Sequence, residues 1–120
     1  MTYQKRIGKI GEKLAAGYLT GKGYQLLEFN FNVVYGEIDL IALDGEIVVF
    51  VEVKTRTSDT FGSPEDSITS AKLEKIQNAA LMWLQAHPDA PDDWRLDVIA
   101  ILIDRQNNLL DLQHFVDAYL

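Results

Sequence analysis

The sequence contains no cysteine, which excludes disulfide bonds, thiolate zinc sites and cysteine nucleophiles. It also lacks long apolar runs, and a run such as Val98 to Ile103, which no other run exceeds, is too short to span a membrane. No apolar signal segment stands at the N-terminus, so a cytoplasmic protein without membrane association is expected. With 120 residues, 48% of them hydrophobic, residues 1–120 are expected to form a single domain.

Positive charge is scarce and unevenly placed. The formal net charge of -7 argues against simple binding to a phosphate backbone, for which a basic surface is usual. Residues 1–25 nevertheless carry five basic side chains against Glu12 alone, whereas residues 76–120 carry two arginines against seven aspartates. A nucleic acid would therefore meet the first half of the chain.

Hydrophobic spacing predicts two helices and five strands. Residues 3–21 have a helical period, and a second helix is expected from a cap near Thr69 or Ser70 to the residues before Pro88. The predicted strands are YQLLEFNFNVV, GEIDLIAL, EIVVFVEVKTR, RLDVIAILID and LLDLQHF, and a polar loop fills 57–69.

This order predicts an α/β fold: a helix, three antiparallel strands, a helix, a parallel strand and one further C-terminal strand. The second helix is long enough for a right-handed crossover to a parallel strand.

The dipeptide Asp44-Gly45 is a strong hairpin signal and sets an expected register. A two-residue loop there places Leu43 opposite Glu46 and, further along, Glu37 opposite Glu52. Odd positions 37–41 then project from the same face as even positions 46–54. That face is apolar near the turn and charged at its open end.

Three carboxylates and one ammonium group meet at the open end, from Glu37, Asp39, Glu52 and Lys54. Each repulsion between the acids costs up to roughly 3 kcal/mol at an effective dielectric of about 20, and an exposed lysine pair offsets only about 0–1 kcal/mol. A divalent cation, Mg²⁺ or Mn²⁺, would supply the missing charge. Such a site suits phosphodiester hydrolysis, with Asp39 and Glu52 holding the metal and Lys54 assisting the attacking water. A solvated strand end with loose ion pairs is the alternative.

The same residues resemble a known pattern. Asp39, followed on the next strand by Glu52-Val53-Lys54, is similar to the PD-(D/E)XK signature of the restriction-endonuclease-like superfamily. A wider set of motifs resembles the YraN family, a bacterial group similar to archaeal Holliday-junction resolvases, over nearly the whole chain. These motifs are GKIGE, Asn30, GEIDLIA, FVEVKTR, Gly62, Lys72 and RLDV.

The resemblance implies a restriction-endonuclease-like core and a metal-dependent endonuclease acting on structured or branched DNA. It implies that Glu12 joins Asp39, Glu52 and Lys54 as a catalytic residue, and that the Val53 backbone carbonyl and Glu12 are further metal ligands. Related resolvases act as two-fold dimers, so a homodimer is also implied. A non-catalytic module that keeps this fold and binds nucleic acid or protein is the alternative.

Three further residues are expected to contact substrate. Thr55 and Arg56 continue the strand beyond the signature, where a solvated strand end is equally reasonable. Lys72 lies in the first turn of the second helix, a position that favours a bound anion. At residues 31–35 this chain has FNVVY where the YraN family tends to have basic residues, which bears on how it would hold a substrate.

Arg95 and Asp97 share one face of the buried strand, and a mutual structural pair is favoured there over a catalytic one. His87 and His114 have no second metal-binding residue at useful spacing and are expected to be structural.

Overall fold

The computed structural model describes residues 2–58 and 69–118, and in these ranges the order of elements is the predicted one. The elements are α1 (Tyr3–Gly21), β1 (Gln25–Val33), β2 (Gly36–Asp44), β3 (Ile47–Thr57), α2 (Ser70–Ala86), β4 (Asp93–Ile103) and β5 (Leu109–Phe115). Most of the polar loop predicted over 57–69 lies outside the described residues.

The five strands form one sheet in the order β1-β2-β3-β4-β5. The pairs β1–β2, β2–β3 and β4–β5 are antiparallel, whereas β3 and β4 are parallel. The parallel pair requires a long crossover, and α2 lies in that connection. This mixed α/β arrangement confirms the predicted fold class and is consistent with a nuclease-like core.

The two helices cover opposite faces of the sheet. On one face Ala15 and Leu19 of α1 pack in the same core cluster as Val49 of β3. On the other face Ile76 of α2 packs in a cluster with Phe50. β3 is therefore buried on both sides, which accounts for its continuous apolar run. Neither helix in the described ranges is long and apolar enough to cross a membrane.

The β2–β3 turn differs from the predicted one. Asp44 pairs with Ile47, so the loop consists of Gly45 and Glu46, and the predicted opposition of Leu43 and Glu46 is wrong. Gly45 has a φ of 60°, the left-handed value that a type II′ turn requires at its first loop position and that glycine adopts freely. The predicted loop would have placed Asp44 at that position instead.

The corrected register gives the paired residues of β2 new partners on β3 but leaves them on the same faces of the sheet, because odd positions of β2 still pair with even positions of β3. The last regular pair is Leu40 with Val51. Asp39 and Glu52 are the next residues on the two strands, so they become neighbours where Glu37 and Glu52 were predicted to oppose each other. The carboxylates thus stand where the hairpin ladder ends.

Helix α1 approaches β3 closely at Gly11. A Cβ atom built at this position would overlap the side chain of Thr55, whereas one built at Gly17 meets nothing within 4 Å. The missing side chain at Gly11 therefore sets the distance between α1 and the strand that carries the signature residues, and it brings the neighbouring Glu12 toward them.

We expect Gly11→Ala to lower the free energy of unfolding by about 1–3 kcal/mol, because the added methyl group forces α1 away from Thr55. Gly17→Ala, in the same helix, is the matched control and should raise stability by about 0.5–1 kcal/mol through helix propensity. Urea unfolding of both variants measures the two values. Equal effects of the two substitutions would contradict the close packing at Gly11.

Candidate active site

Asp39 is attached to the neighbouring strand by its side chain. Beyond the Leu40–Val51 pair, the backbone N–H of Val53 donates to Asp39 Oδ2 at 2.8 Å. The carboxylate therefore takes the place of a backbone acceptor where β2 leaves β3. This bond fixes one oxygen of Asp39 beside the backbone that leads to Glu52.

The strand alternation of β2 breaks at the same residue. Ile38 packs in the α2 layer and Leu40 in the α1 layer, although residues two apart in a regular strand share a face. On the adjacent β1, between the partners of these two residues, Asn30 has a φ of 52°. Irregular backbone of this kind is concentrated at functional sites, where it directs side chains that a regular strand would place elsewhere.

Glu52 is a buried acid, with 5% of its surface exposed. Its Oε1 lies 3.4 Å from Nζ of Lys54 and 2.8 Å from Nζ of Lys72, at the start of α2. The carboxyl group of Asp39 is also within hydrogen-bonding reach of Glu52. Two acids and two lysines from three elements thus share one partly enclosed site.

The two carboxyl groups disturb each other. Burial first, and then the charge of Glu52, raise the pKa of Asp39 from 3.8 to about 8, although the Val53 N–H acts in the opposite direction. Metal-free protein at neutral pH therefore keeps a proton on this carboxyl pair. Two acids placed so that one cannot ionise are typical of a site that accepts a cation.

Glu12 reaches the site from α1. Burial raises its pKa, a hydrogen bond with the Asn30 side chain acts against the shift, and the charges of Glu52 and Glu37 add to it. These influences place Glu12 beside the carboxylate group, on the side facing α1. The structure thus brings Asp39, Glu52, Lys54 and Lys72 together in one site, with Glu12 on its α1 side.

The two lysines respond differently to the shared carboxylate. Burial, and then the proximity of Lys72, lower the pKa of Lys54. Burial would also lower the pKa of Lys72, but its contact with Glu52 outweighs this and the pKa is raised. Lys72 is thus the firmer ion-pair partner, and Lys54 is the lysine more readily made available to another group.

The donors at this site fit a divalent metal that prefers oxygen. Within residues 2–58 and 69–118 no three His, Cys, Asp or Glu side chains converge closely enough to hold an ion by themselves. Asp39 and Glu52 provide two carboxylates, and the Val53 carbonyl lies between Glu52 and Lys54 in the chain. Mg²⁺ suits such a set because it binds one or two carboxylates and keeps several waters.

The remaining expected substrate contacts lie further along β3. Thr55 sits beneath Gly11 of α1, and its Oγ1 is buried. Arg56, two residues beyond Lys54, is half-buried. Substrate contact by either residue stays a prediction.

A second polar cluster lies on the α1 face of the sheet, around Asp97 of β4, which pairs with Val51. Asp97 is fully buried and accepts hydrogen bonds from Arg95 Nε at 3.0 Å and from the Asp117 backbone N–H at 2.9 Å. Its Oδ2 lies 2.7 Å from His114 Nε2. Arg95 also donates to the Tyr24 hydroxyl at 2.8 Å. The predicted pairing of Arg95 with Asp97 is confirmed.

His114 belongs to that cluster, which sequence reasoning did not find. Its Nδ1 lies 3.1 Å from the Tyr18 hydroxyl, so the ring connects α1 with Asp97. The feature that could have revealed this cluster is the β4–β5 register, in which Ile99 pairs with His114. That register depends on irregular backbone at the turn, where Asn107 has a φ of 67°, and the sequence does not reveal it.

Comparison with known proteins places this chain among close relatives. The profile of the uncharacterised protein family UPF0102 matches residues 11–101. A UPF0102 protein of Syntrophomonas wolfei is 40% identical over 115 residues, which cover 96% of this chain and 98% of that protein. One from Geotalea uraniireducens is 44% identical over 117 residues, covering 96% and 90%. The matched span includes Glu12, Asp39, Glu52 and Asp97.

A similar solved structure is that of an fdxN element excision controlling factor protein from Anabaena variabilis. It has a TM-score of 0.47 and 14% sequence identity, and it covers 87% of this chain and 98% of that chain.

We expect Asp39→Asn and Asp97→Asn to change stability in opposite directions in EDTA at pH 7. Asparagine at 39 can still accept from Val53 and removes a repelled carboxyl, so stability should stay equal or rise by about 1–2 kcal/mol after solvent screening. At 97 it removes the partner of Arg95 and should cost about 3–5 kcal/mol. Urea unfolding of both variants provides the measurement.

The pH dependence gives a separate test. Between the ordinary pKa of 3.8 and the folded value of about 8, native Asp39 holds a proton that the unfolded chain has lost, so its contribution to stability falls as pH rises through this window. Asp39→Asn should remove that fall. Asp97 has a lowered pKa because its hydrogen bonds outweigh its burial, so its contribution is present above the ordinary value and is lost in acid. The measurement is the free energy of unfolding of wild type and of Asp39→Asn at pH 5, 7 and 9. The same dependence on pH in both proteins would contradict the raised pKa of Asp39.

Proposed function

This chain belongs to the uncharacterised protein family UPF0102, and we propose that it is a metal-dependent endonuclease that hydrolyses phosphodiester bonds in structured or branched DNA. The observation that carries the proposal is the pair of acids Asp39, which is partly buried, and Glu52, which is buried, held side by side where β2 and β3 separate. Stability alone gives no reason to bury two neighbouring acids, because each raises the cost of ionising the other.

The proposal assigns each residue a role. Asp39, Glu52 and the Val53 carbonyl would hold Mg²⁺ or Mn²⁺, and Glu12 would face the site from α1 without completing a cluster of three carboxylates. The bound metal would polarise a phosphoryl oxygen and lower the pKa of a coordinated water. Lys54 would stabilise the charge that develops on the phosphate and orient the attacking water.

Lys72 is a proposed substrate contact. It lies in the first turn of α2, where Thr69 caps the helix by accepting from the Lys72 N–H at 3.1 Å. A helix N-terminus attracts anions. Once a metal neutralises Glu52, Lys72 would be free to contact a phosphate group.

The α1 helix supports contact with a nucleic-acid backbone. Lys5, Lys9 and Lys13 recur every four residues on its exposed side. Glu12 belongs to the same helix, so this basic row runs past the proposed catalytic group. Cutting both strands of a symmetric junction would require two copies of the chain, and we therefore propose a homodimer on the substrate.

A non-catalytic binding module is the second candidate, and two observations favour it. Lys54 and Lys72 both lie within 3.4 Å of Glu52, so this acid has positive partners without a metal. The net charge of -7 also weakens general attraction to DNA.

We expect Mg²⁺-dependent cleavage on a panel of labelled duplex, single-stranded, flap and four-way-junction DNAs. Asp39→Asn, Glu52→Gln and Lys54→Met should each lower the cleavage rate by at least about 10²-fold, because each removes a group that acts on the developing charge. Asp92→Asn, an exposed aspartate before β4, is the matched control and should cleave like wild type.

Metal binding is measured separately from cleavage. Mg²⁺ or Mn²⁺ at about 100 times its Kd should stabilise wild type by about 2.7 kcal/mol and leave Asp39→Asn unchanged. If no DNA in the panel is cut and no metal stabilises wild type, the endonuclease proposal fails and the binding module stands.

A further inference from the structure

The turn between β1 and β2 exposes two apolar side chains at its tip. Val34 and Tyr35 are 88% and 70% exposed, the highest values among the large hydrophobic residues of the described chain. A two-residue turn normally uses glycine, asparagine or aspartate, because these adopt turn conformations easily and tolerate water. Val34 is β-branched and Tyr35 is aromatic, so neither suits such a turn. The turn departs from the usual residue preference, and the fold supplies no reason for it.

The tip is held rigidly next to the second helix. Gly36, directly after it, approaches the backbone carbonyl of Lys75 in α2 so closely that a Cβ atom would overlap it. The same position lies near the side chain of Ala79. Val34 and Tyr35 therefore project from a fixed support rather than from a free loop.

A groove leads from the tip to the candidate active site. A cavity of about 600 Å³ lies between residues 32–37 and α2. A smaller cavity of about 220 Å³ is lined by Glu52 and Lys72. The two share Glu37, Ala71 and Lys75 among their lining residues, so a strand lying in the groove would pass from Tyr35 to the carboxylates.

The charge along this groove disfavours a phosphate backbone at the tip. Residues 23–53 contain no lysine or arginine, so neither β1, β2 nor their turn can offset a phosphate charge. The large cavity holds Glu37 and Glu74 against Lys75 alone. Basic side chains lie instead on α1 and at Lys54 and Lys72, beyond the carboxylates. A chain of nucleotides in the groove would therefore turn its bases toward the tip.

We propose that Val34 and Tyr35 form a stacking surface for unpaired bases beside the candidate active site. An exposed aromatic ring stacks on any base without regard to sequence, and aliphatic neighbours support such contacts. In paired duplex the faces of interior bases are covered, so the surface selects DNA with an unpaired segment, such as a flap or an open junction. The position of the scissile bond rests on the proposed function, whereas the binding itself does not.

Binding in EDTA tests the surface without cleavage. Tyr35→Ala should weaken binding of an oligothymidine by roughly 5- to 100-fold, the loss typical of one stacked base. Affinity for a blunt duplex should stay unchanged, and so should the slope of log affinity against log salt, because no ionic contact is removed. Leu110→Ala is the matched control, since Leu110 is 53% exposed on β5, away from α1 and from the groove.

Tyr35→Trp gives a readout that a structural role would not produce. It should keep the affinity of wild type, and oligothymidine should quench its added fluorescence, whereas the fluorescence added by Leu110→Trp on β5 should not be quenched. Absence of oligothymidine binding by wild type, or equal binding by wild type and Tyr35→Ala, would overturn the proposal. A change in sedimentation with no change in DNA binding would also overturn it, because the tip would then be a protein contact.

The two proposals fail in different ways. If Tyr35→Ala cleaves and binds all substrates like wild type, the stacking surface is wrong and the endonuclease stands. If nothing is cleaved but Tyr35→Ala still loses oligothymidine binding, the endonuclease is wrong and the stacking surface stands.

Discussion

The hydrogen bond from the Val53 N–H to the Asp39 carboxylate is the contact on which the candidate site depends. It forms where the β2–β3 ladder stops, so the side chain closes a gap that would otherwise leave a backbone donor without its strand partner. By holding Asp39 against β3, it also brings that acid beside Glu52. The Asp39 carboxyl thus stabilises the end of the β2–β3 hairpin, although its raised pKa keeps it from ionising readily.

Asp39 and Asp97 show how differently one sheet can surround the same kind of side chain. Asp97 is surrounded by donors from Arg95, His114 and a backbone N–H, and its pKa is lowered. Asp39 has one backbone donor and an acidic neighbour, and its pKa is raised to about 8. The environment of Asp97 favours the ionised carboxylate and so stabilises the fold. The environment of Asp39 lacks the positive charge that an ionised carboxylate would need. This contrast separates a structural cluster from a candidate active site without reference to any relative.

Periodicity and composition were sufficient for the elements and for the residues gathered at the hairpin's open end. The predicted faces of the paired residues survived an incorrect register, because the two registers differ by two residues along β3 and odd positions of β2 stay paired with even positions of β3. The sequence could not reveal that Gly45 takes the first loop position, nor that alternation breaks between Ile38 and Leu40, since both depend on backbone angles chosen by packing. The contact of Lys72 with Glu52 depends on how α2 returns to the sheet, which spacing alone cannot give.

The distribution of charge constrains how any nucleic acid could approach. With a net charge of -7, the chain repels a polyanion at long range, and the few basic groups must act locally. Apart from Lys22, Arg95 and Arg105, those groups lie on α1 or between residues 54 and 75, whereas the whole segment from residue 23 to 53 has none. Affinity would therefore come from short-range contacts made after encounter. Such binding discriminates by shape and base exposure more than by charge, because the attraction shared by all DNA is weak here.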